Sequence, residues 1–235
     1  MQQLPLGVRL RDRAVFDSFL PAGNAVTLAQ LRQLAAQPRP GLHWIAGAPG
    51  SGKTHLLQAM CAQVALSFAA AYLPLRELCA NGAEALEGWQ PLACLCVDDV
   101  DAVIGQSGWE RALFALYRDA EEQGTALLLA AQLPPRQLEF ALPDLGSRCA
   151  AGTLHVLQPL NEIQQREALQ LRARLRGLEL PEETAAYLQR YQRRDMQTLY
   201  SLLDTLDQAA LSAQRRLTVP FIREVLGRQP APPPA

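Results

Sequence analysis

The chain contains one lysine, Lys53; every other cationic side chain is arginine. A compact ammonium on a flexible stem is the group suited to reach phosphate as a point charge. Lys53 lies in the run Gly47, Ala48, Pro49, Gly50, Ser51, Gly52, Lys53, Thr54, followed by His55. An apolar segment, Leu42 to Ala46, precedes this GAPGSGKT run and a helical pattern comes after it, which is the setting of a Walker A phosphate-binding loop. Gly50 and Gly52 let the backbone turn so that its N–H groups converge on phosphate oxygens, and the helix N-terminus beyond adds positive partial charge. Lys53 is then expected to bridge the outer phosphates, and the Thr54 hydroxyl to sit on Mg2+. The chemistry implied is binding of a purine nucleoside triphosphate or diphosphate. A Gly-rich turn bearing an exposed lysine is the bland alternative, and it leaves the match of every fixed position unexplained.

A site of this kind needs a second element, an apolar strand ending in carboxylates, and Leu92 to Val97 followed by Asp98 and Asp99 supplies it. Asp98 is expected to hold Mg2+ through water. Asp99 stands where many ATPases carry a glutamate that orients the attacking water. Its side chain is one methylene shorter, so slow self-catalysed hydrolysis is expected; the other reading makes it a solvated acid at a strand end. Gln132 ends the apolar run Ala126 to Ala131, where a polar side chain could touch the γ-phosphate or the attacking water, or be an ordinary loop glutamine. Arg148 in PDLGSRC and Arg194 in RRDM are, on residue type alone, as well read as surface charges.

Five apolar runs could carry these residues: Leu42 to Ala46, Ala69 to Leu73, Leu92 to Val97, Ala126 to Ala131 and Leu154 to Leu157. Helical spacing lies between them, at Thr54 to Leu66 and Trp109 to Gln123. That alternation predicts an α/β fold, a parallel sheet with helices on both faces. Pro143 is expected to break the segment before Arg148. Beyond Gln158 and Pro159 the patterns are helical only. Asn161 with Gln164 reads as a capping pair, Gly177 as a helix stop, Pro181 as a start, Asp195 to Arg215 as a long amphipathic helix, and Thr218 precedes a short last one. The boundaries expected are a core over 11–158, a small helical domain over 159–228, and a Pro-rich tail over 229–235 with no packed structure.

Composition narrows the function classes. A formal net charge of -1 gives no overall electrostatic pull toward DNA or an anionic membrane, and a hydrophobic content of 49% can supply a proper core. The five cysteines, Cys61, Cys79, Cys94, Cys96 and Cys149, are odd in number and never spaced C-x-x-C, against both a disulfide framework and a zinc site. Cys94 and Cys96 are expected inside a buried strand. The N-terminus lacks a secretory pattern and no apolar run could span a bilayer, so a cytoplasmic protein is expected.

Taken together, GAPGSGKT, VDDV, LPPRQLEFALPDLGSR and LQLRARLRGLELPE resemble the DnaA family of AAA+ initiators, and within it the short regulatory Hda branch, from Gln3 to Leu226. The resemblance implies a five-stranded AAA+ core with a helical lid, and ADP or ATP with Mg2+ as ligand. It implies that Arg148 is an arginine finger reaching the nucleotide of a neighbouring subunit and that Arg194 is the lid's sensor-2 arginine. Gln132 falls at the sensor-1 position, where DnaA-like proteins usually carry an acidic residue. Residues 1–10 hold Gln3, Leu4, Leu6 and Val8, resembling the Q-L-x-L-x-hydrophobe peptide that docks on the polymerase sliding clamp; an extended amide-and-leucine peptide suits an apolar groove, and a frayed terminus is the alternative. Pro5 and Gly7 depart from the commonest forms of that peptide. The partners implied are DnaA and the clamp, with self-association left open and no strong direct DNA or membrane binding. Two functions are compatible with this: a regulator that, with the DNA-loaded clamp, stimulates ATP hydrolysis by DnaA, or an ATP-driven loader or remodeller whose own turnover does the work. A third, a scaffold at membrane or origin, has no basic amphipathic helix to support its membrane form.

Overall fold

The computed structural model describes residues 14–89, 91–191, 196–213 and 216–227, and divides into two compact units between Pro159 and Leu160. In the first unit five strands, β1 (Gly41–Ala46), β2 (Ala70–Pro74), β3 (Cys94–Asp98), β4 (Ala126–Ala131) and β5 (Thr153–Val156), form one parallel sheet in the order β2-β3-β4-β1-β5. The inner strands β3 and β4 are buried at every residue, which is why they read as continuous apolar runs rather than alternating ones. Cys94 and Cys96 lie fully buried in β3.

Helices cover both faces. One face packs α1 (Ala25–Ala36) and α2 (Lys53–Val64) over Ile45, Cys96 and Leu128 through Leu31, Leu57 and Met60. A short α3 (Leu75–Leu78) comes directly after β2. The other face packs α4 (Ser107–Gln123) and α5 (Pro143–Ala151) over Trp44, Val97 and Leu129 through Leu113, Leu116 and Leu145. Trp109, Leu113, Leu116 and Ala120 form the buried stripe of α4, and Gly124, at φ 72° in the left-handed region, ends it. Pro143 divides the chain ahead of Arg148 by starting a helix rather than stopping one. It stands at the first helical position of α5, where its missing N–H costs nothing and its fixed φ is already helical.

The second unit contains α6 (Glu162–Leu175), α7 (Glu182–Tyr191), α8 (Met196–Ala213) and α9 (Val219–Gly227). Asn161 and Gln164 form a reciprocal capping box at the start of α6, with bonds of 2.9 and 3.0 Å, and Gly177 adopts φ 74° just past its end. Leu169, Leu188, Leu199, Leu203 and Ile222 make its core. Arg176, 5% exposed at its side chain, is paired with Asp204 and lies 3.8 Å from Asp207, tying α6 to α8.

At the sheet edge His43 Nδ1 lies 3.3 Å from His155 Nε2, the rings stacked at 5.6 Å. Burial, and for His155 also the neighbouring ring, push both below the usual histidine range, His155 to about 4. Folded rings that hold protons more weakly than unfolded ones make acid favour the unfolded chain, so stability should fall as pH drops from about 6.5 toward about 4. His155→Leu should flatten that window by roughly 2 kcal/mol in chemical denaturation; an unchanged pH profile in the variant would remove the pair as its cause.

Candidate functional site

The strand order sets the site. β1 delivers the Gly47–Thr54 loop at its C-terminal end, and β3, two strands away, delivers Asp98 at the same edge, with β4 and Gln132 between them. Gly50 and Gly52 adopt φ 76° and 97°, conformations that side chains other than hydrogen rarely take. A Cβ on Gly50 would meet nothing within 4 Å, whereas one on Gly52 would strike the Phe19 ring at 2.7 Å. The loop is therefore seated on the N-terminal segment that carries Phe19. His55 turns to the same segment: its Nε2 lies 2.9 Å from the Val15 carbonyl and 3.2 Å from Ser18 Oγ, with its ring edge-on to Phe19.

Lys53 is 8% exposed, and its Nζ donates to the carbonyls of Gly47 at 2.7 Å and Ala48 at 3.2 Å. Burial lowers its pKa, while the charges of Asp98, Asp101 and Asp99 act the other way. Asp98 is 1% exposed and accepts from the Tyr72 hydroxyl at 2.9 Å and from the Asp99 backbone N–H at 2.9 Å, with the Thr54 hydroxyl beside it. Burial nevertheless raises its pKa, with the Asp99 charge adding to the rise and those bonds opposing it. Tyr72 is pushed up in turn by its own burial and by Asp98.

Asp99 is one of two non-glycine residues with positive φ, at 54°, among the described residues. That conformation costs energy and turns its carboxylate to Arg76 Nε on α3, 3.3 Å away. Gln132 is exposed, and both its backbone N–H and its Nε2 donate to the two oxygens of Asp101, each at 3.1 Å. Arg148 is exposed on α5, with Tyr117 of α4 as a neighbour. Arg194 and the peptide containing Gln3, Leu4, Leu6 and Val8 lie outside the described residues.

The residues present fit a phosphate-bearing ligand with a hard cation. Ser51 Oγ is buried in the loop without a hydrogen-bond partner, a polar atom that a ligand oxygen could satisfy. Thr54 and Asp98 offer two adjacent oxygens, and among the described residues no larger group of metal-ligating side chains exists. Two protein oxygens, with phosphate and water completing the shell, is the usual arrangement for Mg2+. Sequence reasoning missed Tyr72, Phe19, Asp101 and Glu110. Their partners are distant in the chain; only Glu110, a carboxylate one residue from Trp109 on a buried helical stripe, left a readable signal.

Residues 162–226 match the family model of the Hda lid domain. The whole chain is similar to domain III of the Thermotoga maritima replication initiation protein DnaA, with a TM-score of 0.71 and 21% identity over 91% of this chain and 95% of that one. The chain pairs an AAA+ fold with a helical unit that matches the Hda lid model. The same fold is found in a replication initiator DnaA bound to AMPPCP and single-stranded DNA, at TM-score 0.65 and 18% identity over 88% of this chain and 69% of that one. It is also found in the Thermotoga maritima RuvB Holliday junction branch migration motor, at 0.63 and 17% over 93% and 72%. No described helix is long and apolar enough to cross a membrane.

The site makes a paired prediction. Lys53→Ala should abolish or greatly weaken binding of Mg2+–nucleotide in calorimetry while the core stays folded. Asp98→Asn should also weaken Mg2+-dependent binding, yet leave the empty core equally or more stable at neutral pH, because a carboxylate whose pKa is raised on folding costs stability above its unfolded pKa. Parent affinity in Lys53→Ala would rule out the loop as the binding site.

Proposed function

We propose that the chain binds adenine nucleotide at the Gly47–Thr54 loop, with Mg2+ held by Thr54 and Asp98, and acts with the DNA-loaded sliding clamp as an activator of ATP hydrolysis by DnaA. Its role is then to prevent re-initiation of chromosome replication. The observation that carries this reading is the match of residues 162–226 to the Hda lid family beside a DnaA-like core. A solved DnaA of the same fold bound to AMPPCP supports adenine nucleotide as the ligand class.

The side-chain geometry is in keeping with an activator rather than a fast ATPase. Asp99 is short, held in the left-handed region and bonded to Arg76, a poor arrangement for orienting water. Gln132 has its amide nitrogen committed to Asp101. The chain's own hydrolysis is then weak, and its nucleotide chiefly sets the conformation of core and lid, with Arg194 as the lid's nucleotide-sensing arginine. Arg148, by contrast, is exposed on α5, where its guanidinium is accessible to a partner. In this reading it enters the nucleotide site of DnaA and stabilises charge on the transferring phosphoryl group, while Gln3, Leu4, Leu6 and Val8 dock the chain on the clamp.

The test is phosphate release from ATP-bound DnaA mixed with the chain, clamp and DNA. The isolated chain should hydrolyse ATP slowly, and omission of the clamp should abolish stimulation. Arg148→Ala should keep nucleotide affinity and lose most of the stimulation, by about 10³-fold, with Arg148→Lys rescuing poorly because an ammonium lacks the planar fork. Brisk hydrolysis by the chain alone would instead favour the ATP-driven loader.

A further inference from the structure

Glu110 is fully buried in α4, and its carboxylate accepts three backbone N–H bonds from two other segments: Gly105 at 2.6 Å and Ala141 at 3.1 Å on Oε1, and Leu142 at 2.6 Å on Oε2. Gly105 lies just beyond the short 3-10 turn Val100–Ala102, which begins directly after Asp99. Ala141 and Leu142 immediately precede α5, the helix that carries Arg148. A buried carboxylate satisfied by three N–H groups is costly to disturb, so it fixes the loop after the paired aspartates and the start of α5 relative to each other.

Seven residues further along α4, on the same helical face, the Tyr117 hydroxyl donates to Glu121 Oε1 at 3.1 Å and has the Arg148 guanidinium as a neighbour. From Glu110 to Tyr117 α4 rises about 10 Å, and from Leu142 to Arg148 α5 rises about 9 Å, at 1.5 Å per residue. Glu110 and Tyr117 thus lie about two turns apart on α4, as Leu142 and Arg148 do along α5.

We propose that Glu110 and Tyr117 are positioning residues for Arg148: Glu110 fixes the helix that carries it and ties that helix to the loop behind Asp98 and Asp99, and Tyr117, beside the guanidinium, limits the poses it can present to a partner's nucleotide. This rests on the reading of Arg148 given under the proposed function. Neither side chain touches a nucleotide; both act through the arginine. Glu110→Gln keeps the shape but turns an NH2 donor toward an N–H, losing at least one of the three bonds, and Tyr117→Phe removes only the hydroxyl.

The experiment measures phosphate release from ATP-bound DnaA against concentration of the full chain, with clamp-loaded DNA saturating, for parent, Glu110→Gln, Tyr117→Phe, Arg148→Ala and each variant combined with Arg148→Ala. Each single variant should lower the maximal rate about tenfold or more, as misplacement of a catalytic group by about 1 Å does. The half-saturating concentration and the chain's nucleotide affinity should stay at parent values, and neither substitution should lower the residual rate further once Arg148 is Ala. A parent maximal rate in Tyr117→Phe or in folded Glu110→Gln, a loss that appears only as a raised half-saturating concentration, or a further loss in the Arg148→Ala background overturns the proposal while the proposed function stands. A parent rate in Arg148→Ala itself overturns the proposed function. Should Glu110→Gln fail to melt cooperatively, Tyr117→Phe decides alone by the same criteria.

Discussion

The burial of an ammonium and a carboxylate at the same edge of the sheet is the constraint on which the rest of this structure turns. Lys53 is held under the loop by the Gly47 and Ala48 carbonyls, and Asp98 is held by Tyr72 and its own neighbour's N–H. Each is shifted by burial toward its neutral form and drawn back by other groups, the lysine by carboxylates and the aspartate by its hydrogen bonds. Neither charge could be kept there by a loop alone. The parallel sheet, covered on both faces, is what brings the ends of β1 and β3 to the same edge and excludes water beneath them.

From that edge the structure runs in two directions. Toward the N-terminus, the Phe19 ring fills the space beside Gly52, so that the loop rests on a segment far from it in sequence. Toward α5, the turn after Asp99 reaches Gly105 and through Glu110 the start of the Arg148 helix. A site whose parts sit on rigid elements, with their supports buried, is the kind that holds geometry closely. Arg148 is exposed on α5, a position open to another molecule.

The sheet and the loop are legible in the sequence because their signals are local. The five apolar runs match the five strands within two residues at each end, and the loop's fixed positions sit within eight residues in a strand-to-helix setting. The Asn161–Gln164 box and Gly177 are equally local. The features that escape are supports built from distant partners. Tyr72 is 26 residues from Asp98, Gln132 is 31 from Asp101, and Glu110 is 31 and 32 from the two N–H groups before α5. Helix α1 escapes as well, since no side-chain cap marks its start. Pro143 reads as a break, but not as the start of α5, because a proline that stops a helix and one that begins a helix differ only in the residues on its C-terminal side.

The most direct measurement asks whose nucleotide is hydrolysed. DnaA loaded with ATP labelled at the γ-phosphate is mixed with the chain carrying unlabelled nucleotide, with clamp and DNA present, and the labels are then exchanged between the two proteins. Arg148 acting in trans gives rapid, chain-dependent release of the DnaA label and slow release of the chain's own. Rapid release of the chain's own label, with the DnaA label leaving no faster than it does unassisted, would contradict the account.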